Sequence, residues 1–316
     1  MRPVKIAIVG GAGGVGSSLA FNLLLARIGA EVVLIDPRID HVQSHVMDLE
    51  QALELCPGST LRGGELDEIA SAEVLVITAA VPLTLAATRR AYLLDNGRIV
   101  DEIAAAVPPG WDGVALMVTN PVDPLVLRFQ RRTLLDRRRV LGYTLNDSLR
   151  LRTGASGRLG LPAGAVEAWS LGEHGEGHVP VFSRLRIGSE PRSLSGEDEA
   201  AAAGFLRTWF GRHVALDAGR TSTWTTGLGL TRMIAAIREG GDECWPASVV
   251  LEGEYGLEGV ALTVPVRLGA GGATGIEEWK LGPSELEGLH RAAAAVRAAE
   301  SALREELVEQ PSASEG

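Results

Sequence analysis

The sequence predicts an α/β fold in which an N-terminal doubly wound parallel sheet is followed by a mixed α/β domain. Three observations carry that expectation. Short β-branched runs alternate with longer amphipathic segments through the first half of the chain, the first run opens onto a glycine-rich turn, and the rhythm changes near residue 150. Strands separated by helix-length segments join as parallel βαβ units, and ligands of such sheets sit beyond the carboxyl ends of the strands.

Taken in order, residues 4–9 (VKIAIV), 31–36 (EVVLID), 73–78 (EVLVIT) and 113–119 (GVALMVT) read as strands. Residues 14–28, 41–55 and 88–107 between them have the length and apolar spacing of helices. Beyond the change of rhythm, 166–171 and 179–187 read as successive strands, and 195–216 and 222–238 as helices. A strand group follows at 247–252, 259–267 and 275–279, and residues 284–307, entered through Pro283, read as a closing helix. The expected division is a dinucleotide-binding domain over 1–143, a substrate domain over 144–310 and a disordered tail over 311–316 (PSASEG).

With 46% hydrophobic and 22% charged residues, the chain has the balance of a soluble globular protein. Its net charge of −10 counts against a nucleic-acid partner held by bulk charge. The start, MRPVKIAIVGG, is too short an apolar run for a signal peptide. The most apolar stretch, 74–87, is interrupted by Thr78, Pro82 and Thr84 and falls short of a membrane span. A cytoplasmic protein with no membrane partner is the expectation. Two cysteines, Cys56 and Cys244, imply neither a disulfide framework nor a cysteine metal site, and no other cluster has metal-ligand spacing.

The turn after the first strand reads Gly10-Gly11-Ala12-Gly13-Gly14-Val15-Gly16. Gly11, Gly13 and Gly16 satisfy a G-x-G-x-x-G fingerprint, and the spacing Gly10, Gly13, Gly16 is also available. Binding a pyrophosphate needs a tight turn, a bare backbone and a helix N-terminus aimed at the charge. A glycine triplet alone is weak evidence, but here a strand precedes it, a helix follows it, and Asp36 ends the next strand, 20 residues beyond Gly16. A carboxylate at that point accepts hydrogen bonds from the adenosine ribose and repels a 2′-phosphate, which selects NAD over NADP; Arg38 is the one nearby feature against that choice.

Four further segments place polar groups in apolar surroundings: VTNPVD (118–123), GYTLNDSLR (142–150), LGEHG (171–175) and Thr88-Arg89. With VPVFS, PASVVLEGEYG and VPVRLG, they make the chain resemble the lactate/malate dehydrogenase family over nearly its whole length. The likeness is closest to the lactate-dehydrogenase-like malate dehydrogenases of archaeal type. The resemblance implies His174 as proton donor and acceptor, with Asp147 orienting it and stabilising its imidazolium. A histidine suits a neutral-pH proton shuttle, and a carboxylate partner raises its pKa and selects its tautomer. It implies Arg150 as a two-pronged clamp on the substrate C1 carboxylate, three residues after Asp147 on the same helical face. Arg89 polarises the ketone and Asn120 hydrogen-bonds the substrate oxygen. Asn96 and the backbone from Val118 to Asn120 contact the cofactor, and Ser222 stands where the family usually has a threonine beside the substrate. Family members are homodimers or homotetramers, so self-association is also implied. His41, His45, His178, His213 and His290 have no comparable context and read as structural.

One segment departs from the family pattern. Malate dehydrogenases of this type usually read A-G-x-P-R-x-P-G-x-T-R before the catalytic arginine, whereas this chain reads AAVPLTLAATR over 79–89. Leu83 stands where an arginine six residues before Arg89 binds the distal carboxylate of oxaloacetate, and Ala80, Leu85 and Ala86 replace Gly, Pro and Gly. Leu83 cannot pair with a carboxylate, and burying that charge unpaired costs several kcal/mol. The expectation is therefore an NAD-dependent L-2-hydroxy-acid dehydrogenase, reversibly transferring hydride between NADH and a small 2-oxo acid with a neutral or apolar side chain. The alternatives are a malate dehydrogenase using another cation such as Arg90, or an NAD-binding sensor with an impaired site. Arg128, Arg131, Arg132, Arg137, Arg138 and Arg139 form a basic cluster, read as a solvated helix end and loop rather than a nucleic-acid patch. Only Lys5 and Lys280 are lysines, so arginine is the habitual cation of this chain.

Overall fold

The structure, a computed structural model, describes residues 4–82 and 89–308, with only the backbone at 89 and 308. Its first half runs β1 (Val4–Val9), α1 (Gly14–Ala26), β2 (Ala30–Ile35), α2 (Ile39–Leu53), β3 (Thr60–Gly63), β4 (Val74–Ile77), α3 (Arg89–Ala105), β5 (Val114–Met117), α4 (Val122–Thr133) and β6 (Val140–Tyr143). The strands lie in the order β3-β2-β1-β4-β5-β6, all parallel. This is the doubly wound dinucleotide-binding order, and it brings the ends of β1 and β4 together where the strand order reverses. The central strands are apolar along their whole length because helices cover both faces. Ile6, Ile8, Leu34, Leu75 and Leu116 are fully buried, each contributing about 1.5–3 kcal/mol relative to exposure.

The second half comprises α5 (Leu145–Leu159), β7 (Val166–Gly172), β8 (His178–Ile187), β9 (Glu190–Pro191), α6 (Gly196–Val214), α7 (Thr223–Glu239), β10 (Cys244–Glu252), β11 (Glu258–Gly269), β12 (Gly272–Ile276) and α8 (Pro283–Val308). The sheet does not stop at β6. Strand β10 pairs with it antiparallel through Ala247 with Tyr143 and Ser248 with Gly142, and β11, β7, β8 and β9 continue the order. A side chain at Gly142 would lie 2.4 Å from Val122 Cγ1 and 2.7 Å from Ser248 Cβ, so this junction packs backbone against α4.

Strands β3, β6 and β9 and helix α4 escaped the sequence pattern, and of α5 only the turn from Asp147 to Arg150 was read as helical. Strand β3 (TLRG) buries only Leu61 and β6 (VLGY) is broken by Gly142, so neither shows the continuous apolar run that marks the equally short β4 and β5. Helix α4 is buried along so much of its length that its apolar run merges with the neighbouring strand signal. The strand expected over 275–279 ends instead at Ile276; beyond it the Glu277 carbonyl accepts from the Tyr255 hydroxyl, which in turn accepts from the Trp279 amide. Most of the arginine cluster is ion-paired within the fold, while Arg139 donates to the backbone carbonyls of Asp112 and Gly113. Arg128 and Arg132 pair with Asp101, Arg131 with Glu300, and Arg137 with Glu252 and Glu254. Among the described residues no helix is long and apolar enough to cross a membrane, and no group of His, Cys, Asp or Glu has metal-binding arrangement. The tail expected to be disordered lies outside the described residues.

Candidate active site

The chain leaves β1 at Val9 and turns at Gly10, whose φ is +90°. A Cβ on Gly10 would sit 2.4 Å from the Ala79 amide nitrogen, and one on Gly16 would sit 2.5 Å from the Gly10 carbonyl oxygen. Both obstacles are backbone, so no side chain is accommodated. Gly13, in extended conformation, caps α1 without a side-chain hydrogen bond, so the first amides of the helix have no protein acceptor from their cap. Gly14 is exposed and Val15 half-buried beside them. A bare turn delivering the positive end of a helix dipole fits a pyrophosphate.

Asp36 stands just past β2 with its carboxylate almost covered. It accepts from the Ala12 amide at 3.2 Å and from Arg38 through Nε at 3.0 Å and Nη2 at 3.1 Å. Burial pushes its pKa up, but the hydrogen bonds from Arg38 and Ala12 outweigh burial and hold it below the usual value. The carboxylate is thus ionised beside the glycine turn, as ribose hydroxyls require.

Asn96 is fully buried and braces two loops at the same sheet end. Its Oδ1 accepts from the Val81 amide at 2.9 Å, and its Nδ2 donates to the Asn120 carbonyl at 2.7 Å. Val118 and Thr119 are tied by their amides to the Ile77 carbonyl, which leaves Asn120 exposed at the end of β5.

Polar side chains from five elements converge beyond them. Asp147 on α5 is buried and ringed by three cationic or potentially cationic groups. Its Oδ1 accepts from Arg150 Nη1 at 3.0 Å; its Oδ2 lies 2.5 Å from His174 Nδ1 and 3.3 Å from His178 Nε2. Burial pushes the Asp147 pKa up, but the two imidazoles pull it far below the carboxylate range. Burial likewise disfavours charge on His174, yet Asp147 wins and raises its pKa. The shared proton therefore rides on His174, held by Nδ1 toward Asp147. Its Nε2 has no hydrogen-bond partner among the described residues.

The His174 backbone is held as well. Its amide donates to Asp123 Oδ2 at 2.7 Å, and Ser248 Oγ donates to Asp123 Oδ1 at 2.6 Å. Burial lifts the Asp123 carboxyl to about 6 against those two hydrogen bonds. The Arg150 guanidinium carbon lies over the Trp209 ring, 4.1 Å from its centroid, and His213 stacks on the same indole at 4.9 Å. Asn146 donates to Thr226 Oγ1 at 2.8 Å and approaches Ser222 Oγ at 3.5 Å. Thr223, the first residue of α7, lies against Gly14 of α1, so the cofactor turn and the acid–base cluster are linked through one helix start.

The fold thus gathers His174, Asp147 and Arg150 at one point and Gly10–Gly16 with Asp36 at another. Leu83 lies outside the described residues, as does the Arg89 side chain, although the Arg89 backbone opens α3. Arg90, the alternative cation, is ion-paired with Glu306 of α8. One reading needs correction: His178, taken from sequence as structural, touches the catalytic-type carboxylate. Nothing in its neighbourhood in sequence signals this, because the contact joins β8 to α5. His45 and His290 approach the carbonyls of Ala12 and Tyr255, as structural histidines do. Asp123, Ser248 and Trp209 were assigned no role from sequence, although Asp123 closes the segment VTNPVD and Ser248 lies in PASVVLEGEYG.

The comparisons with known proteins agree with this geometry. Residues 4–142 match the lactate/malate dehydrogenase NAD binding domain, and residues 144–306 match the lactate/malate dehydrogenase alpha/beta C-terminal domain. The chain belongs to the lactate/malate dehydrogenase family, and it is an NAD-dependent 2-hydroxy-acid dehydrogenase. It is 33% identical to a malate dehydrogenase of Natronomonas pharaonis, over 90% of this chain and 94% of the relative. It is 32% identical to an L-lactate dehydrogenase of Staphylococcus epidermidis, over 91% and 93%. The lactate dehydrogenase of Cryptosporidium parvum, solved with lactic acid and NAD, superposes with a TM-score of 0.90 at 26% identity, covering 96% of this chain and 99% of that one.

Proposed function

We propose that the protein reduces a small 2-oxo acid with a neutral or apolar side chain to the L-2-hydroxy acid, reversibly, and that oxaloacetate is a poor substrate. Leu83 carries this reading, since it stands six residues before Arg89 where malate dehydrogenases of this type carry the arginine for the distal carboxylate. Arg90 is a weak substitute because its guanidinium is already paired with Glu306. Specificity rests on a few contacts, so whole-chain likeness to malate and lactate enzymes at nearly equal identity does not choose between them.

Arg150 grips the C1 carboxylate through a two-pronged contact, with Trp209 packed against its guanidinium. NADH, when bound, supplies the hydride that adds to C2. His174 delivers the proton from Nε2 to the carbonyl oxygen, Asp147 stabilises its charged form beforehand, and Arg89 offsets charge growing on that oxygen. The test compares kcat/KM for oxaloacetate, pyruvate, 2-oxoisocaproate and phenylpyruvate, then repeats the set with Leu83→Arg. The substitution is expected to favour oxaloacetate by ~1–3 kcal/mol, a recovered charged hydrogen bond. A wide preference of the unmodified protein for oxaloacetate sinks the reading. Tight NADH binding without turnover of any of the four acids favours the sensor instead.

Self-association is part of the proposal. Phe21 and Leu25 on α1 and Trp224 and Leu228 on α7 are all exposed, Trp224 at 67%. The two helices nearly touch where Gly227 meets Ser18, and their exposed apolar residues are the surface we propose a second copy covers. Light scattering of the Trp224→Arg variant checks this, with a smaller assembly expected.

A further inference from the structure

Two imidazoles share one oxygen of Asp147. His174 Nδ1 lies 2.5 Å from Oδ2 and His178 Nε2 lies 3.3 Å from the same atom, while Oδ1 serves Arg150. The second contact requires a particular tautomer. For His178 to donate to a carboxylate held ionised, the hydrogen must sit on Nε2, which leaves Nδ1 as a bare acceptor. Nδ1 is buried and has no hydrogen-bond partner among the described residues. An imidazole that leaves one nitrogen buried and unpaired, while the other lies 3.3 Å from Asp147 Oδ2, finds its polar partner in that one contact.

Every donor to a carboxylate lowers its basicity toward the others. A hydrogen bond from His178 therefore draws on the same negative charge that holds the proton on His174. Sheet register sets the arrangement, because His178 opens β8 opposite Gly172 of β7, and the turn between them carries His174. The other charged groups around His174 are Asp123 of α4, Arg150 of α5, and Glu173 and Glu176 of its own turn. Helix α8, packed on β8, directs Glu285 to Ser183, Arg291 to Glu287 and His290 to the Tyr255 carbonyl.

We propose that His178 is a positioning residue that shares Asp147 with His174 and thereby sets the pH at which His174 releases its proton. The inference rests on the dehydrogenase reading of the site. Glutamine is the natural test residue, since its Nε2 occupies the place of the histidine Nε2 and donates without titrating. Removing the donor with His178→Leu returns charge to Asp147, so His174 holds its proton longer. The alkaline limb of kcat/KM for 2-oxo-acid reduction and the acid limb for 2-hydroxy-acid oxidation should both move to higher pH, by about half a unit to one unit. His178→Gln should bring both limbs back close to the wild-type positions.

A direct readout does not depend on turnover or on the variants folding. In wild-type protein labelled with nitrogen-15 histidine and saturated with NADH, His178 should show the Nε2–H tautomer, with its Nδ1 resonance that of an unprotonated nitrogen. Observation of an Nδ1–H tautomer at neutral pH overturns the proposal, as do pH profiles of His178→Leu that superimpose on the wild type. Should no 2-oxo acid turn over, the functional reading fails, yet the histidine resonances still decide whether His178 shares Asp147.

Discussion

At the end of the site proposed for the cofactor the backbone is what the structure presents: Gly10 and Gly16 are pressed against main-chain atoms, and α1 starts without a side-chain cap. At the proton-transfer end, nearly every contact is a side chain from a different element. Asp123 comes from α4, Asp147 and Arg150 from α5, His174 from the turn after β7, His178 from β8 and Ser248 from β10. The first end is local, spanning Val9 to Asp36, and apart from the Asp36 carboxylate it depends on glycines that have no side chain to lose. The second is assembled across 125 positions between Asp123 and Ser248 and depends on charges balancing one another in a buried space. Damage at the first should impair binding while leaving the proton chemistry intact; damage at the second should do the reverse.

The largest separation is expected from His174→Ala. Loss of the positioned acid should cost about 10²–10⁴-fold in kcat/KM, with NADH affinity measured by fluorescence left near the wild-type value. A comparable loss of NADH binding would show that the two ends are not separable.

Asp147→Asn sharpens the proton end alone. The folded-state pKa of His174 is raised, so the protonated form needed for reduction, and the stability of the pair, persist below the ordinary value and are lost as pH rises through the folded one. Asp147 supplies the opposite limb, since its depressed pKa means stability lost only as pH falls toward it. Replacing it should move the alkaline limb of reduction down by about 1–2 units. An unmoved limb would assign the titration to another group.

Gly10→Ala probes the cofactor end. Its φ of +90° and the 2.4 Å approach of Ala79 should cost about 1–3 kcal/mol of stability in chemical denaturation and weaken NADH binding. The pH dependence of whatever turnover remains should be unchanged; a shifted profile would couple the turn to His174. The smallest effect is expected from Asp36→Ser. With the carboxylate gone, Arg38 is freed to meet a 2′-phosphate, and NADPH should gain on NADH by about 1–2 kcal/mol in relative kcat/KM. No change in that ratio would mean that Asp36 does not read the ribose.

How far the sequence could be read follows the same division. The glycine turn and Asp36 were legible because strand, turn, helix and acid follow one another within 36 residues, and each type answers a local need. His174, Asp147 and Arg150 became legible only through likeness to a family, since a lone histidine between glycines and an i,i+3 ion pair are ordinary features on their own. Strands β3 and β6 lack the continuous apolar run that marks the equally short β4 and β5, and β6 proved to be the seam through which the sheet continues into β10.

By itself, the sequence determined the alternation of parallel strands and helices, the cofactor turn and the neutral residue at Leu83, because periodicity, glycine geometry and the presence or absence of a charge are properties of short segments. The tertiary structure alone decided that Asp123 would hold the His174 amide, that Trp209 would cover Arg150, and that His178 would join His174 on Asp147. Those contacts depend on register between β7 and β8, on the packing of α5 against them and against α6, and on the packing of α4 against β10 and β11. A one-residue change in either register would turn His178 to the other face of the sheet, and no local pattern in the chain records which face it takes.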